Sequence, residues 1–310
     1  MNGYADGHCD TIVKLFEQKQ ELFQNDGHLD VKRLKKIGAP LQFFAIWLDP
    51  QYYPISMRQT MKYIDFYERQ IAKNKETIGH VNCFADVLEN KKKNKISALL
   101  ALEGGEALEG ELSAVRIYYR LGVRAMTLTW NHRNPLADGV AEEKSYGGLT
   151  QFGREVVKEM ERLGMLVDVS HLSEAGFWDV VRVAEKPFIA SHSNARSICD
   201  VPRNLRDGQL RAIARRGGIV GINLYPPFLA KEKPAEMADI LRHISHMLTI
   251  MGEDSIALGT DFDGIDSTPG GIRDVGDLQA VFACVEKEFG AEAAEKIFSK
   301  NLLRVLEEVL

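Results

Sequence analysis

Five short stretches of this 310-residue chain carry side chains suited to holding a cation and moving a proton. They read Gly7-His8-Cys9-Asp10, Leu102-Glu103-Gly104-Gly105, Asp168-Val169-Ser170-His171, Ser191-His192-Ser193 and Thr260-Asp261-Phe262-Asp263-Gly264. Residues two apart on a strand point the same way, so His8 and Asp10 can meet one metal ion. Taken singly, each histidine reads better as a core imidazole bonded to a nearby carboxylate. Three imidazoles and several carboxylates gathered at one place read instead as a metal site. Nitrogen and oxygen ligands without thiolate suit catalytic zinc. Cys9, between His8 and Asp10, is expected to point away and pack.

One zinc takes about three protein ligands plus water. His8, Asp10, Glu103, His171 and His192 exceed that number before Asp261 is counted, so two zinc ions are expected, with Glu103 able to bridge them. A water held between two such ions is acidic enough to attack a carbonyl at neutral pH.

These groups need a scaffold that brings five distant segments together. Short apolar runs at 4–9, 41–48, 97–102, 125–130, 166–169, 188–190, 219–224 and 256–259 alternate with amphipathic stretches at 57–73, 110–121, 150–163, 173–184, 206–215, 235–250 and 277–288. Buried parallel strands with crossover helices have that pattern. Eight strands in such alternation predict an α/β fold of the (β/α)8 TIM barrel type, as one catalytic domain over residues 1–310. The candidate ligands then fall at the strands' C-terminal ends, where barrel enzymes keep their chemistry. No G-x-G-x-x-G follows the first strand, which weakens a dinucleotide-binding alternative. The interval 49–96 reads as helix with an extra excursion, and lysines 91–93 and 95 as a solvated loop.

Composition narrows the function. Charged residues make up 27%, the net charge is −5, and no basic stripe suggests nucleic acid. No run approaches the 18 apolar residues of a membrane span, and the opening MNGYADGHCD has no signal-peptide pattern. The four cysteines lack C-x-x-C spacing and read as reduced thiols, so a cytoplasmic location is expected.

The motifs D-G-H-C-D, A-L-E-G-G, V-D-V-S-H, A-S-H-S-N-A-R, P-R-N and G-T-D-F-D-G, in this order, resemble the renal (membrane) dipeptidase family, peptidase family M19, of the amidohydrolase-like metal-dependent barrels. The resemblance runs from about residue 6 to about residue 265. It implies that His8 and Asp10 bind one zinc, that Glu103 bridges, and that His171 and His192 bind the second. It further implies Asp261 as the general acid/base, Arg203 as the grip on the substrate carboxylate, and Tyr225 as a residue lining the substrate site. Asp263 competes with Asp261 and is assigned a supporting role. The best-known animal members place a histidine directly after the Leu-Thr of strand four; this chain has Trp130 there and His132 two residues on, making His132 a candidate for the same task.

The expected activity is zinc-dependent hydrolysis of dipeptides, with tolerance of a C-terminal D-residue. The partner is the small substrate, without nucleic acid or membrane, and a homodimer is left open. Rival readings are a related two-metal hydrolase acting on a lactone, cyclic amide or acylated amino acid, or a barrel that binds without catalysis.

Overall fold

The computed structural model describes residues 3–231 and 234–310. Its strands are β1 (Ala5–Asp6), β2 (Leu41–Trp47), β3 (Ile78–His80), β4 (Ile96–Glu103), β5 (Val123–Thr127), β6 (Leu166–Asp168), β7 (Val220–Ile222) and β8 (Ile256–Leu258). Parallel ladders join them in the order β6-β5-β4-β2-β1-β8-β7. Between β6 and β7, residues 189 and 190 close the ring: Ile189 bridges Asp168 and Ala190 bridges Val220, both parallel. The result is the expected TIM-type barrel. Its sixth stave, expected as a strand at 188–190, is held by two isolated bridges only.

β2 and β4 are buried almost throughout, which their unbroken apolar sequences LQFFAIW and ISALLALE require of parallel strands covered on both faces. The alternation of strand side chains separates two packing layers. Leu41, Phe43, Leu99, Ala101, Ala125, Leu166 and Ile189 share one cluster with Leu302, Val305, Leu306 and Val309 of the final helix (Asn301–Val309). Phe44, Ile46, Leu100, Leu102, Met126 and Val167 belong to the other cluster, among the surrounding helices. Counting by twos along the first set leads to Glu103, Thr127 and Asp168, the last residues of β4, β5 and β6. Strand parity therefore turns these three polar groups inward at the barrel's C-terminal mouth. Segment 191–193 reaches in beside them because glycine follows β8: a Cβ at Gly259 would stand 1.8 Å from Ser191 O.

The helices form where sequence periodicity and caps indicate. Thr150 accepts from Gly153 N at the start of Gln151–Leu163, and Gly164 ends that helix at φ 77°. Ser173 does the same for Glu174–Val183 through Gly176 N. Three features depart from the expectations. β3 lies inside the interval read as strandless and pairs with the start of β4, below the point where β5 joins. Lys91 and Lys92 end a helix, Phe84–Lys92, and are not loop residues. β5 stops at Thr127, so positions 128–132 belong to the loop above the mouth. Among the described residues no helix is long and apolar enough to cross a membrane.

Candidate metal centre

Each candidate ligand sits just past a strand or at its last residue. His8 follows β1, Asp10 precedes the helix Thr11–Gln18, Glu103 ends β4, His171 follows β6, His192 follows the bridged residue 190, and Asp261 follows β8. His171, Asp261 and Asp263 adopt positive φ angles of 65°, 63° and 69°. Such backbone is costly for residues other than glycine and gathers at functional sites. A Cβ at Gly264 would come within 2.1 Å of Asp10 Oδ2 and 2.7 Å of Asp261 Oδ1, so a side chain at this turn would push the two carboxylates from their places.

The fold brings the six residues into one cluster. His8 Nε2 lies 3.4 Å from Asp10 Oδ2, 3.5 Å from Glu103 Oε2 and 4.0 Å from Asp261 Oδ1. His171 Nε2 stands 2.9 Å from Glu103 Oε1 and 2.9 Å from His192 Nε2. The His8 and His192 rings stack at 3.7 Å. Ligand atoms of His8, Asp10 and Glu103 form one triad within reach of a single ion; those of Glu103, His171 and His192 form another, sharing the glutamate.

Hydrogen bonding behind the cluster decides where the protons are. Ser191 Oγ donates to Asp168 Oδ2 at 2.5 Å, so its lone pair is left to accept from His192 Nδ1 at 2.7 Å. Asp168 itself is saturated by Thr127 Oγ1 and the Ser170 and Ser191 amides. His171 Nδ1 donates to Asn131 Oδ1 at 2.8 Å. Both Nε2 atoms therefore carry lone pairs, and both face each other and a carboxylate. Burial, with Arg203 nearby, holds His171 down at about 4 and drives His192 well below the ordinary imidazole range, so neither is protonated at neutral pH. Lone pairs converging without a proton need a cation. Asp10 and Asp261 make the same demand: burial, reinforced by Glu103, pushes them up to about 7 and about 6. His8 Nε2 and Asp10 Oδ1 are buried with no hydrogen-bond partner. This donor set fits metal.

The cluster opens into a cavity of about 510 Å³ bordered by Asp10, Glu103, His171 and Asp261, with Trp47, Trp130, Tyr225 and Phe228 as its aromatic walls. Asp261 Oδ2 accepts from Asn223 Nδ2 at 2.8 Å. Asp263 borders the cavity but is fully engaged, accepting from Thr11 Oγ1, Lys14 Nζ and the His28 amide. Arg203 is buried behind His192, where Nη1 donates to Ser193 Oγ at 3.1 Å and Nη2 to His192 O at 2.9 Å, leaving Nε without an acceptor. Together with His171 it borders a small adjoining hollow. Tyr225 stands against Phe228 on the cavity wall. His132 is not brought to the site: its side chain is 54% exposed, faces Glu142 at 4.0 Å, and does not border the cavity. The loop begins at residue 128, so strand parity no longer carries from Trp130 to His132. Cys9 packs as expected, its thiol donating to Phe43 O.

Sequence reasoning missed Asn131, Asn223, Ser191 and Trp47 as parts of this centre. Asn131 lay in plain view between Trp130 and His132, but only the turn of the loop reveals that it faces inward beside Trp130.

The family model of membrane dipeptidases, peptidase family M19, matches residues 3–310. An uncharacterized dipeptidase of Schizosaccharomyces pombe is 33% identical over 297 residues, covering 90% of this chain and 71% of that protein. The crystal structure of dipeptidase AC, an M19 metallopeptidase, superposes with a TM-score of 0.92 at 28% identity, covering 99% and 98% of the two chains. A metallopeptidase from Rhodobacter sphaeroides, liganded with a phosphinate mimic of L-Ala-D-Ala, gives 0.90 at 28% identity and 99% of each chain.

Proposed function

Because the chain belongs to the membrane dipeptidase family, peptidase family M19, and is a peptide-bond hydrolase of the metal-dependent kind, we propose that it cleaves dipeptides with two zinc ions held by His8, Asp10, Glu103, His171 and His192. The observation carrying this is that His192 Nε2 and Glu103 Oε1 both lie 2.9 Å from His171 Nε2, with both histidine Nδ1 atoms turned to acceptors at Asn131 and Ser191. In this reading His8 and Asp10 hold one ion, His171 and His192 the other, and Glu103 both. When bound, such a pair polarises the scissile carbonyl and acidifies a water for attack.

The remaining steps belong to the protein's own groups. Asp261, steadied by Asn223 and bordering the cavity, takes the proton of the attacking water on its carboxylate and hands it to the leaving amine. Arg203 pairs with the substrate's C-terminal carboxylate through a guanidinium that has no carboxylate partner among the described residues. Phe228, 5.7 Å from the Arg203 guanidinium, borders the cavity with Tyr225, Trp47 and Trp130. Residues 1–310 act as one catalytic domain, and a C-terminal D-residue is accepted, as the L-Ala-D-Ala mimic on the Rhodobacter sphaeroides relative suggests. His132 has no part in this scheme.

Asp261→Asn tests the assignment. An amide keeps the shape and cannot take the proton, so zinc should stay near two per chain while kcat falls by about 10²–10⁴-fold. Metal analysis after dialysis, paired with a dipeptide assay, reads both. Loss of zinc in this variant would make Asp261 a ligand; one zinc in a fully active wild type would remove Glu103 from its bridging role.

A further inference from the structure

The cavity's charges point beyond the reaction to the substrate it selects. Six carboxylates border it, those of Asp10, Glu17, Glu103, Asp261, Asp263 and Asp266, against one lysine, Lys14. Asp10, Glu103 and Asp261 face the imidazole cluster. Asp263 is paired with Lys14 at 2.9 Å, so the charges of that lysine and that aspartate are already spent on each other. Glu17 and Asp266 are left over. Both are exposed at the mouth. Glu17 meets the Tyr63 hydroxyl at 3.4 Å and Asp266 the Ser267 hydroxyl at 2.9 Å, and neither has a cationic partner among the described residues.

Their placement follows from the fold. Asp10, Val13, Lys14 and Glu17 all border the cavity because positions three, four and seven apart share one helix face. That face climbs from the candidate ligand Asp10 outward to Glu17. Asp266 comes from the loop after β8, the neighbour of β1. Arg203 belongs to the loop after the bridged residue 190, three staves round the eight-stave ring from β1. Arg203 borders the adjoining hollow, which meets the cavity at His171. A dipeptide with its carboxylate at Arg203 and its scissile bond at the candidate ligands thus has its N-terminal residue in the cavity that Glu17 and Asp266 border.

We propose that Glu17 and Asp266 form an acidic lip that selects dipeptides carrying a cationic side chain, lysine or arginine, on the N-terminal residue. This rests on the dipeptidase reading, which places the substrate carboxylate at Arg203. Ion pairs at an exposed rim are weak and screened by salt, so the expected preference is about three- to tenfold and depends on ionic strength.

The test uses the zinc-loaded enzyme and four substrates: Lys-Ala, norleucyl-Ala, Glu-Ala and Ala-Lys. Norleucine matches the lysine stem without its charge. At about 0.02 M salt, kcat/KM for Lys-Ala should exceed that for norleucyl-Ala about three- to tenfold, with Glu-Ala poorest; at about 0.5 M salt the ratio should shrink. In the Glu17→Gln/Asp266→Asn double variant the ratio should fall toward one even at low salt. Both residues are exposed, so the variant is expected to fold. A ratio near one in the wild type, a ratio unmoved by the double variant, or a preference for Ala-Lys over Lys-Ala would each overturn the proposal. Failure of the wild type to cleave any of the four would bring down the dipeptidase reading itself and this inference with it.

Discussion

A guanidinium buried without a carboxylate partner is costly unless an anion visits it. Arg203 is 6% exposed, and burial draws its pKa down to about 10, so the fold tolerates this charge at some expense. Ser193 Oγ and the His192 carbonyl bind its Nη atoms, which fixes the plane of the fork and leaves Nε–H free. A lysine would put a single ammonium where the planar fork stood and cannot reproduce its parallel donors. Arg203→Lys should therefore weaken cleavage of free dipeptides, and Arg203→Ala should weaken it further. Charge-assisted hydrogen bonds are worth about 1.5–3 kcal/mol, on the order of ten- to a hundredfold in kcat/KM. A dipeptide C-terminal amide has no carboxylate to hold and should lose much less. Equal losses on the acid and the amide would reduce Arg203 to a structural role. The candidate ligands were legible in the sequence because each sits at or just past a strand end, whereas Arg203 and Tyr225 were named only through the family resemblance, Arg203 lying in the loop beyond residue 190. His132 misled because the reading assumed strand parity beyond Thr127, where the chain has already turned.

At the scale of elements, the eight staves were legible because parallel strands buried on both faces leave continuous apolar runs, as in β2 and β4. β3 was not, since Ile78-Gly79-His80 has no such run and pairs over three residues only. Residues 189–190 were recognised by their apolar character, yet their ladder is reduced to single bridges because segment 191–193 dives inward past Gly259. The helix Met237–Met251 fastens the loop that carries Arg203. His243 on that helix accepts from Ala195 N at 3.1 Å through Nδ1 and donates to Leu229 O at 3.2 Å through Nε2. Accepting from Ala195 N requires the neutral ring, and burial lowers the ring's pKa from 6.5 to about 4. Between those values the unfolded chain binds a proton that the folded chain refuses. The stability supplied by neutral His243 is thus complete above pH 6.5 and is lost as pH falls toward 4. In His243→Asn the amide oxygen keeps the Ala195 contact and cannot titrate. That variant should be weaker at pH 7.5 but fall less on acidification, closing the gap to wild type by about 2 kcal/mol by pH 5. Denaturant unfolding at a series of pH values measures this; parallel curves would mean the imidazole is already protonated in the native state or exposed to water.

At the scale of the whole molecule, the two ends of the barrel are built differently. The N-terminal end is filled by apolar side chains, with Leu302, Val305, Leu306 and Val309 packed against the inward residues of the strands. The C-terminal end replaces that packing with His8, Asp10, Glu103, His171 and His192, all buried. A cluster of this kind lacks the hydrophobic stabilisation of the opposite end, and burial, with Glu103 beside them, raises the proton affinity of Asp10 and Asp261 until a cation balances them. Metal should therefore act as part of the core as well as of the reaction. An ion that binds the folded chain and not the unfolded one stabilises by RT ln(1 + [L]/Kd), about 4 kcal/mol at a thousandfold excess over Kd. For a protein of this size that corresponds to a fall in Tm on the order of 10 °C when the metal is stripped by a chelator. Added zinc should restore the transition, and magnesium should not, because imidazole nitrogen is a poor ligand for the harder ion. The contrast between the two additions separates metal held by the histidines from a general effect of divalent ions on a negatively charged protein. A Tm indifferent to chelator, in protein verified to have lost its metal, would mean the polar mouth holds itself together through the Asp168–Ser191–His192 and Asn131–His171 hydrogen bonds alone.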